Sequence, residues 1–389
     1  MNHPPKSITA FSLANGLGCG RDAVEEALFA GRTGLVTPPL ALPFETFVGA
    51  IPGKLPELPP SIADYRTRTA QIASLLVSEI APELRRARER YAPHRIAVLL
   101  GTSTAGAEAT ESAFKHYVAA GSLPDDYDVF KHHTYGAVLH VFRELSGARG
   151  PSFMVSTACT SSAKPLATAS RLLDAGVIDA ALVGGVDTLC EMTLMGFHSL
   201  DALSNERAKP FSSERRGLNI GEGGALLLVE RSGDAMALLE GVGESSDAYH
   251  ISAPHPEGLG AKLAMERALA FAGVEPSEVD HINAHGTGTQ LNDKAESRAI
   301  VDLFGREIPV ISTKGYTGHT LGAAGATEAI FSIMTLLRGE IPASLFAGPV
   351  DPAVEARIVL ENERSAPRRV LSNSFAFGGN NISVCLRAV

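Results

Sequence analysis

Short apolar runs alternate with stretches of helical spacing along most of the chain, and many of the runs end in glycine. The runs predict strands over residues 7–13, 95–100, 151–155, 180–185, 225–230, 236–245, 279–283 and 309–312, and again from 369 towards 386 around a Gly-rich turn. Helical spacing covers 21–30, 65–91, 111–120, 135–145, 163–176, 258–273, 293–304 and 323–337, with Gly31, Gly176 and Gly273 as stops. Residues 35–62 are proline-rich and predict an irregular surface excursion, and 204–217 predict a polar loop.

Strands alternating with helices predict an α/β protein of packed layers. From about residue 235 the same grammar starts again, which divides the chain into halves 1–234 and 235–389 and predicts a pseudo-duplicated architecture. The 389 residues are 45% hydrophobic and 20% charged, the balance of a soluble globular enzyme. Cys19, Cys159, Cys190 and Cys385 lack paired spacing, which predicts reduced thiols and a cytoplasmic setting. The start of the chain has no long apolar segment, and no run reaches the ~18 residues of a membrane span, so neither a signal peptide nor membrane insertion is expected. A net charge of -9 argues against nucleic acid as partner, while an acidic protein would need a local basic patch. Zinc spacings, a P-loop and a G-x-G-x-x-G between strand and helix are all missing, so no metal and no nucleotide cofactor is expected.

The chemistry concentrates in a few turns. Cys159 lies in Ser156-Thr157-Ala158-Cys159-Thr160-Ser161-Ser162, between a strand and a helix. Helix N–H groups there predict a lowered thiol pKa and a nucleophilic thiolate. His285 stands in Asn283-Ala284-His285-Gly286-Thr287-Gly288-Thr289, and Lys314 and His319 in 313–319; all follow strands. Residues 101–106 approach the G-x-S-x-G nucleophile elbow around Ser103 but carry Ala105 in its last position. His132, His133, His198 and His255 have no such setting and read as structural.

Taken together and in order, Thr157-Ala158-Cys159-Thr160-Ser161, the His285 turn, Thr313-Lys314 with Gly318-His319, Gly322-Ala323-Ala324-Gly325, and Asn373-Ser374-Phe375-Ala376-Phe377-Gly378-Gly379 resemble the motif set of the β-ketoacyl-acyl carrier protein synthases. The resemblance covers nearly the whole chain. It implies a thiolase-like fold of two halves in αβαβα layers, and a decarboxylative Claisen condensation of an acyl-Cys enzyme with malonyl-acyl carrier protein. It implies Cys159, His285, His319, Lys314 and Glu328 as catalytic residues, and the N–H groups of Cys159 and Phe377 as oxyanion hole. Thr287 and Thr289 would bind the phosphopantetheine arm, and Thr104, Phe375 and Phe377 would form the acyl pocket and gate. Arg66 and Arg68 would dock the carrier protein. Asn283, Glu328, Ser372 and Asn373 match positions that hold a monovalent cation in some relatives. Phosphopantetheine arrives on the carrier protein, and the partners implied are that protein and a second subunit, as a homodimer or as a heterodimer with a chain-length factor.

Several positions depart from the pattern: Lys164 and Pro165 after the nucleophile, Ala376 between the phenylalanines, Asn380, and Lys209 where Arg is common. They resemble the synthases of aryl polyene pigment clusters more than the housekeeping fatty acid enzymes. The alternatives are a polyketide ketosynthase subunit or a thiol-dependent hydrolase. A degradative thiolase would need a second catalytic cysteine where Phe377-Gly378-Gly379 stands.

Overall fold

The structure, a computed structural model, describes residues 3–389. Its main sheet is continuous and mixed. One part runs, in space, Lys6–Asn15, Gly223–Glu230, Ala180–Asp187, Ile96–Gly101, Ser152–Val155. The other runs Ala237–Ser246, Asn380–Arg387, Arg369–Phe375, His281–Asn283, Pro309–Ile311, with Arg357–Ile358 added at the edge. Within each part the first strand in sequence lies beside the last, and the three strands beyond that pair are parallel to one another. The order and directions repeat. The parts join where Lys6, Ser7 and Ile8 pair antiparallel with Leu239, Leu238 and Ala237.

Period-two alternation explains the layers. Leu99, Val183 and Leu227 face the helices Lys164–Asp174 and Ala324–Arg338, with Val370, Ile382 and Val384 arriving from the other part of the sheet. Their neighbours Val98, Leu100, Leu182 and Leu226 face outwards onto Arg68–Glu79 and Tyr135–Ser146. Ile282, Val310 and Leu371 pack outwards on Leu259–Ala272 and Gln290–Phe304. Helices therefore lie outside both parts of the sheet and between them, the αβαβα arrangement. Burial on both faces is why these strands read as unbroken apolar runs.

The periodic stretch 65–91 splits into Arg68–Glu79 and Ala81–Arg90, because Pro82 has no N–H to continue the first helix. Thr67 and Thr134 cap their helices by accepting from the N–H groups of Ala70 at 3.0 Å and Ala137 at 3.2 Å. Residues 35–62 are mostly irregular, but Leu35–Val36 and Val48–Gly49 form a small sheet with Ile220–Gly221. The helix Glu191–Ser199 had no periodic signal, since it buries little beyond Leu194. Among the described residues, no helix is long and apolar enough to cross a membrane.

Candidate active site

The turn after Ser152–Val155 carries Ala158 at φ 51°, a left-handed conformation that a non-glycine residue adopts only when its surroundings hold it there. Here the Ser161 hydroxyl donates to Ala158 O at 2.6 Å and accepts from the Thr157 N–H at 2.9 Å. The Ser162 N–H donates to Gly322 O at 3.0 Å, tying the nucleophile turn to the loop after His319. Gly101 lies so close that an added Cβ would fall 2.1 Å from the Ser161 backbone.

Cys159 Sγ faces His319 Nε2 at 2.9 Å. The His319 backbone is clamped by Asn219 O at 2.7 Å and by the Gly221 N–H at 2.8 Å. The His285 ring meets that of His319 edge-on, with centroids 5.2 Å apart. The Lys314 ammonium lies 3.3 Å from His285 Nδ1, donates to His285 O, and pairs with Glu328 Oε1 at 2.5 Å. An ammonium has only hydrogens to offer, so Nδ1 accepts and the His285 proton sits on Nε2. Glu296 accepts from the N–H groups of His285 and Gly286, each at 2.8 Å.

Burial pushes the Cys159 thiol up to about 12, with Lys314 and the N–H groups of Cys159 and Phe377 pulling against it. This corrects the expected helix-lowered thiol. The regular helix begins only at Lys164, and a helix dipole acts within its first turn. Burial, with Lys314 adding to it, holds both histidines well below the ordinary imidazole value, so both are neutral near pH 7.

Cys159, His285 and His319 open into a cavity of about 390 Å³ that also takes in Thr287, Thr289, Phe375 and Phe377. The hydroxyls of Thr287 and Thr289 are 2.9 Å apart, and Phe377 rests against Phe197. Thr104 does not line this cavity. It is buried, and its hydroxyl and N–H donate to Asp187 at 2.7 and 2.8 Å. Arg66 and Arg68 line a separate depression with Glu108 and Tyr127. Arg66 is exposed and pairs with Asp126 at 3.3 Å, whereas Arg68 grips the buried Glu222 with two hydrogen bonds of 2.7 and 2.5 Å. Lys209 is held by Glu206 and Glu214, each at 2.9 Å. Asn283 and Ser372 are partners in register, and the Asn283 amide donates to Glu328 O at 3.1 Å.

Sequence reasoning missed Glu296 and Asp187. Asp187 accepts from Thr102, Ser103 and Thr104 and, at 2.5 Å, from the Gly322 N–H. It thereby ties the 101–106 turn to the His319 loop. A lone acid at a strand end carries no signal of that. Cys385 lies buried in the strand Asn380–Arg387 and takes no part in the cavity.

Residues 59–235 match the β-ketoacyl synthase N-terminal domain family, and 236–347 the β-ketoacyl synthase C-terminal domain family. The mitochondrial 3-oxoacyl-[acyl-carrier-protein] synthase of Arabidopsis thaliana is 37% identical over 62% of this chain, a stretch that spans 58% of the plant protein. The 3-oxoacyl-[acyl-carrier-protein] synthase 2 of Mycobacterium tuberculosis is 34% identical over 75% of this chain and 74% of its own length. Among solved structures, the ketosynthase ApeO of Xenorhabdus doucetiae, in complex with its chain length factor ApeC, superposes with a TM-score of 0.94 at 38% identity, covering 99% of this chain and 98% of that one. The ishigamide ketosynthase/chain length factor superposes with a TM-score of 0.90 at 28% identity, over 100% of both chains. With both family domains matched in sequence order and the fold shared from end to end, the chain belongs to the β-ketoacyl synthase family.

Proposed function

We propose that the chain is a condensing ketosynthase that extends an acyl group held on Cys159 with malonyl-acyl carrier protein. The observation that carries this is the 2.9 Å approach of Cys159 Sγ to His319 Nε2, with His285 beside them and its Nε2–H tautomer set by Lys314. In acylation, the Cys159 sulfur attacks the carrier thioester while its proton passes to His319, and the carrier thiol leaves with that proton. The N–H groups of Cys159 and Phe377, which both act on the sulfur, are suited to the oxyanion formed there. In condensation, malonyl-carrier protein loses CO2, and its thioester oxygen takes up negative charge opposite the Nε2–H of His285 and, once the His319 ring proton has exchanged from Nδ1 to Nε2, that of His319. The carbanion then attacks the acyl carbonyl, forming the new C–C bond and releasing Cys159. Lys314 and Glu328 act through His285. Thr287 and Thr289 hold the phosphopantetheine arm, and Phe375 and Phe377 gate the acyl group.

Asn283, Glu328, Ser372 and Asn373 would hold a monovalent cation, which when bound supplies positive charge beside Glu328. Asn283 Oδ1, Glu328 Oε2 and Ser372 Oγ are buried oxygens with no hydrogen-bond partner among the described residues, which supports the assignment. The Asn373 side chain is turned instead to Glu296 and Ser383.

For partners, the reading is a carrier protein and a second ketosynthase-like subunit. The likeness to a ketosynthase solved with its chain length factor supports a heterodimer, and the free edge of Ser152–Val155 supports pairing across a subunit boundary. Exposed Phe114, Tyr117, Val118, Met192 and Met195 on two packed helices support the same. Aryl polyene synthesis is the pathway this favours. The test is to supply acyl- and malonyl-carrier protein and follow two products by mass spectrometry. An acyl group on Cys159 and a β-ketoacyl-carrier protein are expected; release of free acid alone would indicate hydrolysis and overturn the reading.

A further inference from the structure

Of the side chains around the Cys159 cavity, Arg216 is the only lysine or arginine. Its backbone is fastened to the threonine turn. The Gly217 N–H donates to Gly288 O at 3.1 Å, and the Gln290 amide donates to Arg215 O at 3.2 Å. Neighbouring arginines have opposite fates. Arg215 is 1% exposed and bound to Asp351 at 2.7 Å, a structural ion pair. Arg216 is 66% exposed, and its one charged contact is Nε to Glu206 at 3.8 Å, too long for a hydrogen bond. Glu206 is already engaged, since its other oxygen holds Lys209 at 2.9 Å. The Nη groups of Arg216 make no hydrogen bond among the described residues.

We propose that Arg216 clamps the phosphodiester of the carrier protein's phosphopantetheine arm at the mouth of the cavity. The inference rests on the proposed function. If the arm runs past Thr287 and Thr289 to reach Cys159, its phosphate remains outside, beside the backbone that carries Arg216. A phosphodiester keeps its negative charge at neutral pH and needs a cation there. The rest of this rim offers the acids Asp201 and Asp247, and the chain as a whole is at -9, so no general positive field replaces the one guanidinium. A planar fork of N–H donors also fits two phosphate oxygens at once, which an ammonium does not. The clamp would position the thioester without touching the reacting atoms, so it should act on KM.

The test compares two soluble acyl donors that differ only in the phosphate: acetyl-phosphopantetheine and acetyl-pantetheine. Acylation of Cys159 is read by intact-protein mass spectrometry on wild type, Arg216→Ala and Arg216→Lys. Arg216→Ala should raise the KM for the phosphorylated donor about tenfold, the scale of a lost charge-assisted contact. It should leave kcat, and the KM for acetyl-pantetheine, unchanged. Arg216→Lys should recover part of the loss, and the gap should narrow as salt is raised. Equal effects on the two donors, or none on either, would overturn the clamp while leaving the condensing activity in place. If neither donor acylates wild-type Cys159, the proposed function falls and the clamp with it.

Discussion

His319 Nε2 lies 2.9 Å from Cys159 Sγ, although the two residues are 160 positions apart in the chain. The contact gives the thiol proton an acceptor inside the cavity, while burial keeps both groups in their neutral forms. A neutral thiol is alkylated faster as pH rises, whereas a thiolate stabilised by a helix would already have reached its plateau near neutrality. Iodoacetamide labelling of Cys159 should therefore still be accelerating above about pH 8. Cys159→Ala should abolish acyl transfer. A rate already flat at pH 6 would show that the sulfur is ionised in the resting enzyme.

Replacing His285 or His319 by Ala should slow malonyl decarboxylation by roughly 10²–10³, the usual cost of one donor to a developing oxyanion. Acylation of Cys159 should survive better in His285→Ala than in His319→Ala, because only His319 touches the sulfur. Lys314→Met should mimic His285→Ala in decarboxylation, since it frees the His285 tautomer. Wild-type decarboxylation rates in all three variants would refute these roles.

The two arginines expected to dock the carrier protein should behave differently. Arg66→Glu should raise the KM for acyl-carrier protein and weaken its salt dependence, because the side chain is exposed. Arg68→Glu should instead destabilise the fold, since it leaves Glu222 buried and facing a second anion. With Arg68 34% exposed, the loss should be roughly 1–3 kcal/mol, below the ~3–5 kcal/mol of a fully buried pair. Urea denaturation separates the two, and equal stability of both variants would contradict the assignment.

Thr104→Phe tests the acyl pocket. A tail running beside Thr104 would be cut short by the larger ring, with acetyl and butyryl groups still accepted and Thr104→Val neutral. The hydroxyl contact to Asp187 leads us to expect otherwise. Both variants should lower activity at every chain length, by loosening the Asp187 link to Gly322 and so to His319. A panel of saturated and polyunsaturated acyl-carrier proteins decides this. Faster use of the unsaturated chains by wild type is expected from the aryl polyene reading, and equal use would remove it.

His281 makes the acid limb of stability testable. It is fully buried with Nδ1 3.1 Å from Pro309 O, and burial holds its pKa at about 4 against 6.5 when free. As pH falls below 6.5 the unfolded chain binds a proton that the folded chain refuses, so folding weakens. The contribution is complete above that value and is lost by about pH 4, roughly 3 kcal/mol in all. The drop in urea midpoint between pH 7 and pH 5 should be smaller in His281→Asn than in wild type.

The layered α/β fold was legible because its signal is local. Apolar runs buried on both faces, glycines at helix ends, and a pattern that restarts near residue 235 need no partner to be read. The chemical types of the site were legible too, because His285, Lys314 and His319 sit in Gly-rich turns after strands and Cys159 in a small-residue turn between a strand and a helix. What the turns do to one another depends on packing across the two parts of the sheet. Only the tertiary structure put Lys314 on His285 Nδ1 and so chose a tautomer, and only burial reversed the expected direction of the Cys159 pKa. It also pinned Arg68 on Glu222 and turned Thr104 to Asp187, while leaving Arg216 exposed at the cavity mouth with only a 3.8 Å contact to Glu206. Sequence order carries which side chains are present. Their charge state and partners follow from desolvation and from contacts between residues far apart in the chain, which no local pattern encodes.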